Sequence, residues 1–137
     1  MKFVDTNVFL RFLTRDDETK AEACLRLFQR LDAGLDEATT CEAVLAEVVY
    51  VLSSRGSAYN LPAGEIAARL RPLLSSRGLK LPNKRMYLRA LDLYETYSPL
   101  DFEDALAVAH MERQKISAIV SYDRDFDRVT QVNREEP

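Results

Sequence analysis

The apolar positions of the chain alternate between short runs and helical spacing. Residues 2–5 form a short apolar run that ends at an acid, which is typical of a β-strand. Around Phe28 the apolar side chains recur every three or four residues, which predicts an amphipathic helix ended by Gly34. In chain order, the predicted strands are 2–5, 35–40, 79–81, 117–121 and 129–132, and the predicted helices are 24–31, 41–53, 63–76, 87–94 and 101–114.

Several single residues refine these predictions. Thr40 is the expected N-cap of the helix that follows it, and Pro72 is expected to kink or divide its helix. Four aromatic residues are spaced as core residues rather than as platforms for stacking bases: Phe9, Phe12, Tyr50 and Tyr94.

Strands that alternate with helices predict an α/β fold with a parallel sheet. The 137 residues show no internal repeat and no linker, so residues 1–137 are expected to form one domain. The chain is 47% hydrophobic and 30% charged, which is typical of a globular protein and excludes a disordered one.

The charge balance excludes some classes of partner. The chain carries 22 acidic and 19 basic residues, a net charge of −3, and its pI is about 5.3, so a broadly basic nucleic-acid surface is not expected. No run of about 18 apolar residues is present to span a membrane, and no signal-peptide core follows Met1, which predicts a cytoplasmic protein. Cys24 and Cys41 lie in apolar stretches and are predicted to be reduced, buried thiols.

Four acids stand out from the rest. Glu47 has Ala43, Val44, Tyr50 and Val51 as its helical neighbours, which predicts a carboxylate on an apolar face that needs an ion pair, a hydrogen bond or a metal. Asp104 likewise has apolar residues along its helical face, whereas Asp101 is better placed to cap that helix. Asp5 and Asp123 follow predicted strands, although Asp123 is also suited to a turn.

These four acids predict a metal site if they converge at one sheet edge. Carboxylates a few ångströms apart repel each other, and a divalent cation that prefers oxygen ligands relieves the repulsion. A single histidine, His110, and two separated cysteines argue against zinc, so Mg²⁺ or Mn²⁺ is expected. Such ions commonly assist phosphoryl and phosphodiester chemistry.

In this order and spacing, the motifs Asp5-Thr6-Asn7-Val8, Glu47, Asp104-Ala105-Leu106 and 121–126 (Ser-Tyr-Asp-Arg-Asp-Phe) resemble a PIN-domain ribonuclease. Chain length and motif order are more specifically similar to the VapC toxins of type II toxin–antitoxin (VapBC) pairs. The resemblance covers essentially the whole chain. It implies a three-layer α/β/α fold with a mainly parallel central sheet, and a Mg²⁺- or Mn²⁺-dependent endoribonuclease. It also implies a homodimer and inhibition by a VapB-like antitoxin.

Carried over by position, the resemblance makes Asp5, Glu47, Asp104 and Asp123 the acidic quartet that binds metal and performs catalysis. Asn7 would orient Asp5 or a metal-bound water, and Ser121 would hydrogen-bond an acid at the strand end. Asp125 is an alternative to Asp123 as the fourth acid, and Glu47 is an alternative water-positioning group. The implied substrate is a structured RNA, either tRNA or rRNA. Candidates for phosphate contacts are Arg11, Arg15, Arg55, Arg124 and Arg128.

Two other functions are compatible with parts of the sequence. An aspartate-based phosphatase of the haloacid dehalogenase type would use Asp5 as a nucleophile, but that class needs an acid at the position of Asn7 and a later lysine, and neither is evident. A catalytically silent PIN-like module would bind RNA or protein only. The presence of all four acids disfavours it, because a binding scaffold gains nothing from a repelling cluster.

Overall fold

The computed structural model describes all 137 residues, which divide into two compact units. The first unit spans Met1–Lys84 and the second spans Arg85–Pro137. None of the helices combines the length and the apolar character that crossing a bilayer requires.

The first unit contains two strands and four helices. Its elements are β1 (Lys2–Phe3), α1 (Thr6–Thr14), α2 (Glu18–Asp32), β2 (Ala38–Thr39), α3 (Glu42–Ser53) and α4 (Ala63–Ser75). β1 and β2 are parallel, with Phe3 opposite Thr39, and Leu79 adds a parallel bridge on the other side of β2 at Ala38. Parallel pairing requires a crossover connection, which α1 and α2 supply between the two strands.

The core of the first unit forms from one face of each helix. Phe9 of α1 is fully buried, and its ring centroid lies 5.5 Å from that of Phe28 on α2. Phe12 packs against the same ring at 5.0 Å. The remaining fully buried side chains of this core include Leu31, Leu45, Leu52, Ile66, Leu70 and Leu74.

The second unit contains α5 (Lys84–Thr96, which starts at the boundary), α6 (Phe102–Gln114), β3 (Ala118–Val120), a short 3₁₀ helix (Arg124–Arg128) and β4 (Asn133–Glu135). β3 and β4 pair in parallel over three residues, from Ala118 opposite Asn133 to Val120 opposite Glu135. Tyr94 and Phe102 pack edge to face, with ring centroids 5.9 Å apart, as the core position predicted for Tyr94 requires.

Most of the predicted elements are present, although several boundaries are wrong. The last strand is not residues 129–132 but Asn133–Glu135, after the 3₁₀ helix. α1 lies where the pattern gave no prediction, even though Phe9 and Leu13 repeat at helical spacing. Pro72 does not divide α4: Pro72 and Ala68 are both exposed, so the carbonyl that the proline leaves without a donor faces solvent.

The start of α3 corrects two predictions. Cys41, not Thr40, is the N-cap residue, and its side chain makes no capping hydrogen bond. The Thr40 hydroxyl instead donates to the carbonyl oxygen of Val4 at 2.9 Å, where it is buried between the strand ends. Both cysteines are free, as expected, but Cys24 is only half-buried and Cys41 is exposed.

Candidate active site

Asp5 lies at the junction of β1 and α1. The preceding Val4 is buried, and its N–H donates to the carbonyl oxygen of Thr39 at 2.8 Å, which fixes the end of the strand. Asp5 occupies the N-cap position of α1, yet its carboxylate makes no capping hydrogen bond and is exposed. Because this carboxylate is exposed and makes no capping bond, it is available for a ligand, and the helix dipole favours its negative charge.

Thr6 connects this junction to α3. Its side chain is buried, and its hydroxyl Oγ1 donates to Glu47 Oε2 at 2.9 Å. Sequence reasoning did not single out Thr6, because its partner lies 41 residues away and no local pattern links the two. The tertiary structure therefore places a fixed donor on one of the predicted catalytic acids.

The environment of Glu47 corrects a prediction. Glu47 is exposed, not buried on an apolar face, and Tyr50, one turn later, is 68% exposed instead of lying in the core. The buried side of α3 is formed by Val44, Leu45, Val48, Val49 and Leu52. Because α3 is apolar nearly all round, periodicity alone did not identify which side faces the core.

Asn7 follows in the first turn of α1 and is exposed. It borders a groove of about 290 Å³ between α1 and α2, which Arg11 and Lys20 also line. The role predicted for Asn7, orienting Asp5, stays a prediction.

Asp104 and Asp101 lie together at the start of α6 in the second unit. Asp101 caps the helix as predicted, because its Oδ1 accepts the N–H of Asp104 at 2.8 Å. Asp104 itself is half-buried. Burial raises the pKa of the Asp104 carboxyl to about 6, and the negative charges of Asp101 and Asp123 act in the same direction.

Asp123 occupies the turn that was one of its two predicted roles. Its Oδ1 accepts the N–H of Asp125 at 2.9 Å and so caps the 3₁₀ helix. Ser121 accepts the N–H of Asp123 at 3.0 Å, so its observed partner is the backbone rather than an acidic side chain. The charge of Asp123 contributes to the raised pKa of Asp104, so Asp123 acts on Asp104 even while it caps the 3₁₀ helix.

In the second unit, the negative charges of Asp101 and Asp123 both raise the pKa of Asp104. In the first unit, Thr6 hydrogen-bonds Glu47 and directly follows Asp5 in the chain. Carboxylate oxygens such as those of Asp104 and Asp123 are the donor type that hard divalent cations prefer. No group of three or more His, Cys, Asp or Glu side chains is arranged closely enough to hold a metal.

The arginines nearest the motifs are not all available to a substrate. Arg11 pairs with Asp16 at 2.8 Å, and Arg15 pairs with Glu18 and Glu22 at 3.0 and 2.8 Å. Their charges are therefore partly neutralised within the chain. Arg55, Arg124 and Arg128 are exposed.

The helices and the parallel strand pairs define an α/β protein, with acids at the ends of its strands and helices. More particularly, the chain belongs to the PIN domain family, whose match covers residues 2–132. This confirms the predicted α/β/α PIN-like fold class. PIN domains are generally metal-dependent nucleases that typically use Mg²⁺ or Mn²⁺, and the family supports an RNA-related function for this chain. A search among curated proteins finds no match.

Proposed function

We propose that this protein is a metal-dependent endoribonuclease whose catalytic carboxylates are Asp5, Glu47, Asp104 and Asp123. The observation that carries the proposal is the PIN-family match over residues 2–132, a span that includes all four acids. The raised pKa of Asp104 supports it, because the negative charges of Asp101 and Asp123 act on this half-buried carboxyl and a bound cation relieves such repulsion. Asp123 is favoured over Asp125 as the fourth acid because its charge acts on Asp104.

The chain's own groups then have distinct tasks. Asp5 and Asp104 are the proposed principal metal ligands, with Asp123 in support. Bound Mg²⁺ or Mn²⁺ would neutralise charge on the phosphodiester and lower the pKa of a water. Glu47, held by the Thr6 hydroxyl, would orient the attacking water by accepting a hydrogen bond from it, and would take up its proton as the water attacks. Asn7 would hold Asp5, and Ser121 and Asp101 would fix the backbone around Asp123 and Asp104.

The test is incubation of purified protein with total cellular RNA in the presence of Mg²⁺, Mn²⁺ or EDTA. Discrete fragments that require metal are expected. Asp5→Asn and Asp104→Asn should each reduce the cleavage rate by at least about 100-fold while the circular dichroism spectrum is unchanged. Asp32→Asn, the same change at an exposed position on α2, is the matched control and should cleave normally.

A folded wild-type protein that binds RNA but never cuts it, with any metal, would replace this proposal with the silent PIN-like binding module. Cleavage that persists equally in all three variants would indicate a contaminating nuclease.

We further propose that the enzyme is the toxin of a VapBC-type pair, acting on tRNA or rRNA in the cytoplasm as a homodimer. Chain length and motif order support this assignment. Induction of the wild-type gene should arrest growth, Asp5→Asn should not, and a co-expressed VapB-like antitoxin should restore growth.

Light scattering should give twice the 15.6 kDa chain mass for the free protein. A single functional domain over residues 1–137 is part of this proposal.

A further inference from the structure

A second cavity, separate from the residues proposed for catalysis, lies within the first unit. It measures about 550 Å³ and is lined by Met1, Thr39, Arg77, Leu79, Lys80, Leu81, Pro82 and Lys84. Three of these side chains are cationic, and none is acidic. A cavity of this size is large enough for a nucleotide.

The segment that carries the cations is firmly held. The N–H of Gly78 donates to the carbonyl oxygen of Leu31 at 2.7 Å, and Lys80 N–H donates to that of Ala38 at 2.7 Å. Gly78 is packed so closely that a Cβ would collide with the carbonyl oxygen of Asp36. The backbone at residues 78–80 is therefore fixed, and with it the positions from which Arg77 and Lys80 extend.

Two of the three cationic side chains have defined positions. Lys84 Nζ donates to the carbonyl oxygen of Ser76 at 2.8 Å and is half-buried. The Arg77 side chain lies over Gly34: a Cβ added to Gly34 would be 3.2 Å from Cδ and from Nε of Arg77. Side chains that are already ordered lose less conformational entropy when a ligand binds.

The electrostatics of the cavity favour an anion. Burial, and then the nearby positive charge of Lys80, lowers the pKa of Lys84. A bound anion would offset both effects, because it favours the charged form of Lys84 and no carboxylate in the lining does so. The apolar side chains of Leu81 and Pro82 line the same cavity and offer a surface for a base or ribose.

We propose that this cavity binds a nucleotide of the RNA substrate, with its phosphate held by Arg77, Lys80 and Lys84. The inference rests on the proposed ribonuclease function for the identity of the ligand. It gives the enzyme a phosphate contact that does not depend on the arginines held by Asp16, Glu18 and Glu22.

The test measures RNA binding by protein that carries Asp5→Asn, in EDTA, over a range of salt concentrations. Adding Lys80→Gln or Arg77→Gln should weaken binding about 3- to 10-fold, and each should lower the slope of log K against log salt by about 0.7. Arg26→Gln, which removes the same charge from an exposed position on α2, is the matched control and should change neither quantity. Lys84 is left intact because its hydrogen bond holds the segment.

Inorganic phosphate and poly-glutamate, added separately, distinguish the sources of the anion. RNA binding that depends on Lys80 and Arg77, with weak competition from either additive, supports the RNA site. Phosphate that shifts the Lys84 Nζ resonance while RNA affinity is the same in all variants would overturn it in favour of a free phosphate. If poly-glutamate binding depends on Lys80 and RNA binding does not, the RNA site is overturned in favour of a site for an acidic protein segment.

The experiments distinguish a failure of the nucleotide site from a failure of the ribonuclease proposal. In the active wild-type background, Lys80→Gln should raise KM with kcat unchanged. If RNA binds through Lys80 but no cleavage occurs, the ribonuclease proposal is wrong and the site stands. If cleavage occurs and Lys80→Gln and Arg77→Gln leave binding and KM unchanged, the site is wrong and the ribonuclease stands.

Discussion

The buried hydroxyl of Thr6 and the exposed carboxylate of Glu47 are joined by a hydrogen bond of 2.9 Å across 41 residues of sequence. Glu47 is exposed, so nothing in the apolar packing of α3 would otherwise hold its carboxylate in one orientation. The donor lies directly after Asp5 in the chain, which couples the positions of two proposed catalytic acids. Thr6 is therefore a positioning residue rather than a catalytic one.

Thr6→Val should reduce kcat for RNA cleavage about 10- to 100-fold, because the carboxylate of Glu47 loses its fixed partner. The free energy of unfolding should fall by only about 0.5–1.5 kcal/mol, since the exposed carboxylate can be hydrated. Urea denaturation and cleavage kinetics measure the two effects, and Thr6→Ser should restore kcat. Thr14→Val, which removes a hydroxyl bonded to the Leu10 carbonyl on the same helix, is the control. Equal loss of kcat in both variants would contradict a specific role for Thr6.

Asp104 should make the metal-free protein less stable as the pH rises through about 6. Its pKa in the folded state lies above the ordinary value of 3.8, so folding is favoured by protonation. The stabilising contribution is fully present below pH 3.8 and is lost as the pH passes about 6. Asp104→Asn removes the charge, so the variant should be more stable than wild type by about 1 kcal/mol above that pH, allowing for screening by solvent.

Unfolding measured by urea at several pH values tests this difference, which should shrink to near zero in acid. A stability difference that does not change with pH would show that Asp104 is not the titrating group.

Asp101 has two effects that substitution separates. Asp101→Asn keeps an N-cap side chain but removes the charge, so the pKa of Asp104 should fall below about 6 while α6 stays intact. Asp101→Ala removes the cap as well and should cost about 1 kcal/mol of unfolding free energy. Carbon NMR titration of the Asp104 carboxyl, together with denaturation, distinguishes the variants. An unchanged Asp104 pKa in Asp101→Asn would mean that burial and the charge of Asp123 raise it without a contribution from Asp101.

Truncation of Leu52 should destabilise the protein far more than truncation of Tyr50, although both residues lie on the apolar helix α3. Tyr50 is 68% exposed and Leu52 is 0% exposed. Tyr50→Ala should change the free energy of unfolding by less than about 0.5 kcal/mol, whereas Leu52→Ala should cost about 2–5 kcal/mol. Thermal or urea melts measure both. A large loss for Tyr50→Ala would mean that its ring is buried in solution.

Two glycines offer a matched test of backbone packing. A Cβ at Gly78 would collide with the carbonyl oxygens of Asp36 and Leu31, whereas a Cβ at Gly64 on α4 meets nothing within 4 Å. Gly78→Ala should therefore destabilise the protein by about 1–3 kcal/mol, and Gly64→Ala should stabilise it by about 0.5 kcal/mol. Denaturation midpoints check the two signs. Equal effects would contradict the close packing at residue 78.

The sequence predicted the class of fold well and the limits of its elements less well. Helical spacing around Phe28 and over residues 101–114 identified α2 and α6, and short apolar runs located β1 and β3. The predicted bounds of the final strand, 129–132, are wrong. Those residues are apolar in part, whereas the strand itself, Asn133–Glu135, is polar. This strand pairs with β3 through backbone hydrogen bonds, which the pattern of apolar and polar side chains does not reveal.

The α/β class, the family motifs and the candidate acids can all be read from the sequence, because hydrophobic period and motif spacing are local properties of the chain. The surroundings of those acids follow from the folded structure. It exposed Glu47 and gave it Thr6 as a donor, and it raised the pKa of Asp104 by burial beside Asp101 and Asp123. Hydrogen bonds and desolvation arise between residues that meet only on folding, so the chemistry of each carboxylate is set by neighbours that sequence position does not reveal.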